Sequence, residues 1–321
     1  MPKYRNHLPQ LSGKLFLADG GIETSLIYLQ GFDLPYFAAF DLLKTDAGLA
    51  GLRDYFEPYA RVAREQGLGI VLESPTWRAS TDWAEKLGYS EDALADARRR
   101  SIDLLLDLRE RYETERSPVV ISGCLGPRGD GYHPGNRMGI HEAAAYHAPE
   151  IRNFAAGEAD MVTAITMNYT EEAIGIAQAA ADEGMPVVIS FTVETDGRLP
   201  TGETLRHAIE TVDAETGAAP AYYMINCAHP THFEGVLAAG EAWTDRVRGL
   251  RANASRKSHA ELDAATALDA GDPDELAAEY RDLCGKLRKL NVVGGCCGTD
   301  HRHIARIGLA CAAVERTSAA A

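Results

Sequence analysis

The chain has 321 residues, is 45% hydrophobic and 25% charged, and carries a formal net charge of −15. These values are typical of a globular protein and exclude collagen, coiled coil and disorder. The acidic excess argues against nucleic acid or an anionic membrane as partner, because both attract basic surfaces. No stretch approaches the roughly 18 apolar residues of a membrane span, and the N-terminus lacks the apolar core of a signal peptide. We therefore expect a cytoplasmic protein that acts on small molecules.

Short apolar runs rich in β-forming residues alternate with longer amphipathic patterns along the chain. The run P-V-V-I-S-F at 186–191 has the unbroken apolar character of a strand covered on both faces. The eight predicted strands cover residues 15–18, 69–72, 119–122, 160–165, 187–191, 222–225, 247–250 and 290–293.

Helical patterns follow these strands, and the order of the two kinds of element indicates the fold. Predicted helices cover residues 54–66, 90–115, 141–156, 170–184, 201–215, 232–239 and 301–315, and another begins at Asp272-Pro273. Residues 253–271 form a polar excursion after strand seven. Eight βα units with no break in composition predict an α/β fold, a (β/α)8 TIM barrel. We expect one domain over residues 1–321 with its core at about 15–314; a doubly wound sheet is the alternative.

The strongest chemical signal is the run G-G-C-C-G-T at 294–299, after the last strand, together with N-C at 226–227, after strand six. Both lie at the C-terminal ends of strands, where barrel enzymes hold their sites. Three thiolates favour Zn²⁺, and three protein ligands with an open fourth position are typical of catalytic zinc. A substrate thiol in the fourth position would lose its proton and remain a nucleophile, suited to attack on an electrophilic methyl group.

Other interpretations of the cysteines remain open. Cys284 and Cys311 fall on helical patterns and are interpreted as small core hydrophobes, while Cys124 follows strand three without a partner in sequence. A vicinal disulfide between Cys296 and Cys297 would imply redox work, although disulfides are rare in the cytosol. A fourth protein ligand would make the zinc structural. The candidates for it are His229, His301 and His303.

These motifs resemble those of the homocysteine S-methyltransferase family, which includes the betaine- and S-methylmethionine-dependent enzymes and the homocysteine module of cobalamin-dependent methionine synthase. The resemblance runs from about Leu15 to Val314. It rests on D-G-G-I-E-T at 19–24, G-C-L-G-P at 123–127, S-F at 190–191, D-G at 196–197 with Gly202, and the two cysteine motifs. It implies a zinc-dependent S-methyltransferase of methionine biosynthesis, with homocysteine as the acceptor.

The resemblance also assigns residues. Three positions match the zinc ligands of the family: Cys227, Cys296 and Cys297. Asp19 and Gly20 match the opening loop that lines the acceptor pocket, and Asn226 belongs to the matching N-C motif and is expected to bind substrate.

One position departs from the family pattern. The family usually has Glu-Thr after strand four, and that glutamate holds the amino group of the acceptor; here Ile165 precedes Thr166. Either another carboxylate such as Glu73 replaces it, or the acceptor lacks an amino group there. An unpaired buried ammonium costs several kcal/mol. We therefore predict a weaker preference for homocysteine over a simple thiol such as 3-mercaptopropionate than in a relative that has the glutamate.

The methyl donor and the assembly state are less constrained by the sequence. The resemblance implies a sulfonium or ammonium donor, which aromatic side chains can surround. Trp77 with Glu73, and Tyr36-Phe37, are the donor-binding candidates, with ordinary packing as the alternative. A homo-oligomer is compatible with the sequence. The alternative functions are a zinc-binding barrel that acts on a different, non-amino-acid thiol or has no turnover, and a thiol redox protein.

Overall fold

The computed structural model describes residues 1–237 and 240–320. Eight parallel strands close into a barrel in the order β1-β2-β3-β4-β5-β6-β7-β8, with β1 pairing with both β2 and β8. The strands are β1 Phe16–Ala18, β2 Gly69–Glu73, β3 Val119–Leu125, β4 Met161–Met167, β5 Val187–Thr192, β6 Tyr222–Asn226, β7 Val247–Ala252 and β8 Val292–Gly295. The predicted (β/α)8 TIM barrel is confirmed, and the doubly wound alternative is wrong.

All eight predicted strands exist, and most extend further towards their C-terminal ends than predicted. Gly294 and Gly295 belong to β8, where they pair with Arg251 and Ala252 of β7, rather than to a loop after the strand. Asn226 is likewise the last residue of β6. Glycine is depleted in strands, so the sequence pattern ended the last strand too early.

Helices surround the barrel in chain order. They are α1 Ile22–Thr24, α2 Asp46–Gln66, α3 Thr81–Lys86, α4 Glu91–Tyr112, α5 Ile140–Ala156, α6 Thr170–Asp182, α7 Leu205–Thr216, α8 Pro230–Phe233, α9 His259–Asp263, α10 Pro273–Lys286 and α11 His301–Ala320. Within the described part of the chain, no helix combines the length and the apolar character needed to cross a membrane.

Helices α2 and α8 differ most from their predicted bounds. Helix α2 begins at Asp46, well before the predicted start, because the Thr45 hydroxyl accepts a hydrogen bond from the Gly48 amide and caps it. Gly51 weakens the helical pattern but is required there, since a Cβ atom would lie 2.3 Å from the Phe32 ring. Helix α8 covers only Pro230–Phe233, shorter than the predicted 232–239, of which 238–239 lie outside the described residues.

The barrel interior is apolar at one end and polar at the other. Near the N-terminal ends of the strands, buried side chains form a closed layer: Leu8, Phe16, Val71, Val120, Met161, Val188, Tyr222, Met224 and Val292. Further along the strands, the buried hydroxyls of Ser122 and Thr163 hydrogen-bond to one another at 2.8 Å. The filled end supports the barrel, as in other barrels of this type, and the polar end leads to the site.

Candidate active site

A cavity of about 440 Å³ opens at the C-terminal ends of the strands. Loops after several strands supply its wall, and the predicted excursion between β7 and α10 lies across it through His259, Leu262 and Asp269. Both cysteine motifs face this cavity, so the sequence placed the site on the correct end of the barrel.

Strands β6 and β8 bring three cysteines together. The Sγ atoms of Cys227, Cys296 and Cys297 all lie within 4.8 Å of one another, although Cys227 is 69 residues from Cys296 in sequence. Gly21 permits this packing, because a Cβ atom there would lie 2.5 Å from the carbonyl oxygen of Cys296. The D-G-G run therefore fits against the backbone of the cysteine pair.

The thiol cluster suits a tetrahedral metal ion. Zinc–sulfur bonds of about 2.3 Å place tetrahedral ligands about 3.8 Å apart, within the spread of the three sulfur atoms.

Cys227 and Cys296 are joined as a disulfide with Cα atoms 5.4 Å apart, so a metal-bearing form requires both of them reduced. Burial raises the pKa of the Cys297 thiol to about 12, so it needs a neighbouring cation to ionise at neutral pH. The disulfide does not pair Cys296 with Cys297, as the redox alternative required.

The three candidate histidines do not complete the cluster. Within the described residues, the group able to hold a metal contains the three cysteines alone. His229 Nε2 lies 3.3 Å from Glu279 Oε2, and burial lowers the pKa of His229 to about 4. His303 Nε2 instead lies 2.8 Å from the carbonyl oxygen of Ala270. Among the described residues, a metal ion at the three cysteines would therefore find no fourth protein ligand, and a ligand from the cavity could take that place.

Asn226 and Thr166 hold the backbone beside the cluster. The Thr166 amide donates to Asn226 Oδ1 at 3.0 Å, and Asn226 Nδ2 donates to Thr166 Oγ1 at 2.9 Å. Thr166 and Cys227 have φ angles of 67° and 55°, which are unusual for residues other than glycine, above all for the β-branched Thr166. Asn226 is buried behind the cavity wall, so its place favours positioning of Cys227 over the predicted contact with substrate.

Asp19 lines the cavity but is already paired. Arg251 Nη1 donates to Asp19 Oδ1 at 2.6 Å, and the Tyr55 hydroxyl donates to Asp19 Oδ2 at 2.9 Å. All three side chains are buried. Burial alone would lower the pKa of Arg251, but the charges of Asp19 and Glu73 raise it, so the guanidinium stays charged. Gly20 contributes its carbonyl oxygen, which accepts from Arg251 Nη2 at 3.3 Å.

Glu73 and Ile165 lie in the same cavity wall. Ile165 is 7% exposed, and the Trp77 indole donates to its carbonyl oxygen at 3.2 Å. Glu73 is the last residue of β2, is 5% exposed, and its Oε2 has no hydrogen-bond partner. Burial raises the pKa of Glu73 to about 7, an effect that the charge of Arg251 partly opposes.

The aromatic candidates lie at different depths. Trp77 and Phe37 line the cavity, whereas Tyr36 lies outside its wall and is 52% exposed. The Arg78 guanidinium stacks 4.1 Å from the Trp77 ring, so one face of that ring is covered.

Cavity residues that sequence reasoning missed include Tyr132, Arg251 and His259. The Tyr132 ring stacks on His259 at 4.0 Å, and its side chain lies near Cys297, whose pKa it influences. Arg251 left a weak signal, since it is one of two arginines, with Arg248, in a strand whose other residues are apolar or glycine.

Known proteins were compared with this chain by sequence profile and by fold. The sequence profile of the homocysteine S-methyltransferase family matches residues 16–311. The structure of the homocysteine methyltransferase MmuM from Escherichia coli in its oxidized form is similar, with a TM-score of 0.73, 18% identity, and coverage of 92% of this chain and 96% of that one. Its metallated form gives a TM-score of 0.72, 17% identity, and coverage of 95% and 99%. This chain belongs to the homocysteine S-methyltransferase family and is a methyltransferase enzyme.

Proposed function

We propose that the enzyme transfers a methyl group from a sulfonium or ammonium donor to the thiol of homocysteine, with Zn²⁺ held by Cys227, Cys296 and Cys297. The observation that carries the proposal is the convergence of three sulfur atoms within 4.8 Å at a cavity of about 440 Å³. The similar Escherichia coli protein has a metallated form, which supports the use of a metal by this enzyme.

A metal ion would solve the problem of ionising an acceptor thiol inside a buried cavity. When bound, zinc would supply the positive charge that lets an acceptor thiol lose its proton near neutral pH. The protein environment alone opposes that ionisation, as the raised pKa of the buried Cys297 thiol indicates. With three thiolate ligands the ion has a net charge of −1, which suits it to a thiol and not to activation of water.

The surrounding residues orient the reactants and exclude water. The acceptor sulfur attacks the methyl carbon, a carbon–sulfur bond forms, and the bond to the donor breaks, so that its electron pair leaves with a neutral sulfide or amine. Residues His259 and Leu262 of the excursion border the cavity and limit access of water. The fixed geometry of the site contributes by holding both reactants in line.

A methyl-transfer assay tests the proposal. The reduced, zinc-loaded enzyme is incubated with homocysteine and either S-methylmethionine or glycine betaine, and methionine is measured by mass spectrometry. We expect methionine formation that a strong chelator abolishes and added zinc restores. Bound zinc without turnover for any thiol would instead support a binding protein, and turnover that survives complete zinc removal would support a thiol redox protein.

The proposal also fixes the cellular context. Methylation of homocysteine places the enzyme in methionine biosynthesis. Two of the three proposed zinc ligands form a disulfide when oxidised, so the active form belongs in a reducing compartment such as the cytoplasm.

A further inference from the structure

We infer that Glu73 is the residue that binds the ammonium group of an amino-acid acceptor in this enzyme. The inference rests on the proposed function, since it concerns the thiol that enters the cavity. It selects between the two alternatives that Ile165 leaves open: a replacement carboxylate, or an acceptor without an amino group.

The first observation is an unsatisfied carboxyl oxygen. Glu73 is buried at the end of β2 and lines the cavity that also holds Cys227 and Cys296. Its Oε2 has no hydrogen-bond partner. Buried polar atoms are almost always satisfied, and an orphaned one costs about 1–3 kcal/mol. A ligand that donates N–H groups to Oε2 would remove this cost.

The second observation is that the other deep positions cannot take this role. Asp19 is neutralised by Arg251 and accepts a further hydrogen bond from Tyr55, so its oxygens are occupied. Ile165 has no polar atom in its side chain. Among these buried wall positions, Glu73 is the carboxyl with a free oxygen.

Besides Asp19 and Glu73, four carboxyls line the cavity, those of Glu23, Asp130, Asp263 and Asp269, and Glu23 is the one whose pKa burial raises as it does that of Glu73. It lies on the short helix α1, and burial raises its pKa to about 7, as for Glu73. It differs in its exposure, since its side chain is partly exposed. A guanidinium lowers the pKa of both carboxyls, that of Arg78 for Glu23 and that of Arg251 for Glu73. Its oxygens are not among the orphaned buried atoms. Glu23 is therefore partly open to solvent, whereas Glu73 is buried and one of its two carboxyl oxygens, Oε2, has no hydrogen-bond partner.

The position of Glu73 also favours the acceptor over the methyl-bearing cation of the donor. Glu73 is level with Ser122 in the strand register, on the barrel itself, whereas Trp77 and Phe37 come from loops at the cavity wall. A methylated sulfonium or a quaternary ammonium has no N–H group and cannot satisfy Oε2. The primary ammonium of an amino-acid thiol offers three donors, and such charge-assisted hydrogen bonds are strong.

The test compares two thiols that differ only in the amino group. Homocysteine and its des-amino analogue 4-mercaptobutanoate are titrated by calorimetry into reduced, zinc-loaded enzyme, and the ratio of their dissociation constants is measured. The variants are Glu73→Gln and, as the matched control, Glu23→Gln. We expect wild type to prefer homocysteine at least tenfold, which corresponds to about 1.4 kcal/mol. Glu73→Gln should reduce this preference to less than threefold through weaker homocysteine binding alone, and Glu23→Gln should preserve it.

Each contrary result has a distinct meaning. Equal affinity for the two thiols in wild type, loss of preference in Glu23→Gln alone, or equal weakening of both thiols in Glu73→Gln overturns the inference and leaves methyl transfer intact. If neither thiol binds although zinc is present, the proposed function fails, and the inference with it. Wild-type zinc content in Glu73→Gln, measured in parallel, shows that the variant is folded.

Discussion

The two halves of the cavity are built on different principles. The half at β6 and β8 is a cluster of three uncharged cysteine side chains, Cys227, Cys296 and Cys297, brought together by short motifs. The half at β1, β2 and β7 contains buried ionisable groups, with the Asp19–Arg251 pair beside Glu73. The first half carries the two cysteine motifs, and Ile165, which stands where the family pattern has glutamate, lies on β4, outside both halves.

The difference between the two halves separates metal binding by the cysteines from recognition of the acceptor's ammonium group. Thiolate coordination requires particular residues at fixed positions, so a change there removes the metal. An ammonium group needs only a carboxylate within reach, which another strand can supply. We therefore expect the thiol half to tolerate no substitution, and the charged half to allow graded changes in stability and in acceptor preference.

The largest effect is expected from removing a thiol. Cys227→Ala and Cys297→Ala should each lose bound zinc and reduce methyl transfer at least a thousandfold, because two ligands do not hold the ion at low zinc. Metal analysis after dialysis under reducing conditions gives the zinc content. Cys284→Ala and Cys311→Ala, which remove thiols from helices α10 and α11, are the controls and should keep one zinc per chain. Full zinc in Cys227→Ala would show that the ligands are misassigned.

The next effect concerns the buried pair in the charged half. Arg251→Met leaves Asp19 as an unpaired buried charge, so the free energy of unfolding should fall by about 3–5 kcal/mol. Arg206→Met breaks an exposed pair with Glu210 and should cost less than about 1 kcal/mol. Urea unfolding of both variants with zinc present measures the difference. Similar small losses in the two variants would mean that the Asp19–Arg251 pair does not support the fold.

A pH series sharpens the assignment of Glu73. Its pKa is raised to about 7, so the carboxyl is neutral below that pH and charged above it. The preference for homocysteine over 4-mercaptobutanoate should therefore rise by up to tenfold per unit as pH increases from about 5.5 to 7, and then level off. The ratio of the two dissociation constants cancels effects of pH that are common to both thiols.

The groups that face Glu73 are the charges of Arg251 and Asp19, the Cys124 thiol, and the hydroxyls of Ser122 and Thr163. A ratio that does not change with pH would contradict the assignment.

The smallest effect is a partial rescue. Ile165→Glu in the Glu73→Gln background restores a carboxylate to the cavity on β4, and the preference for homocysteine should recover about threefold. Recovery is incomplete because the new carboxylate lies beside an indole and lacks a prepared partner. Calorimetry with the two thiols measures it, and Ile165→Gln is the matched control without charge. Equal results for the two substitutions would show that charge at this position has no role.

The fold was predictable because local signals agreed with one another. Apolar runs gave eight strands, and Asp272 with Pro273 predicted the start of α10, where Asp272 Oδ1 accepts from the Asp274 amide at 2.7 Å. The ends of the strands were less predictable. Gly294 and Gly295 continue β8 only because β7 offers a partner strand, which no local pattern contains.

The charged half of the site was less predictable than the thiol half. Asp19 and Arg251 are 232 residues apart and do not form a motif, so their pairing becomes visible only when the barrel closes. The same holds for the stacking of Tyr132 on His259. The cysteines stand in short, distinctive runs, and the barrel rule places them at one end. Sequence therefore predicts where the thiols meet, but not which nearby charges are already neutralised.

X-ray absorption at the zinc edge tests most directly whether the cysteines activate the acceptor. The reduced enzyme should show three sulfur ligands at about 2.3 Å and one oxygen or nitrogen ligand. Addition of homocysteine should change this to four sulfur ligands, because the acceptor thiol takes the open position. A spectrum with four protein ligands before addition, or with three sulfur ligands that do not change at saturating homocysteine, would contradict the account.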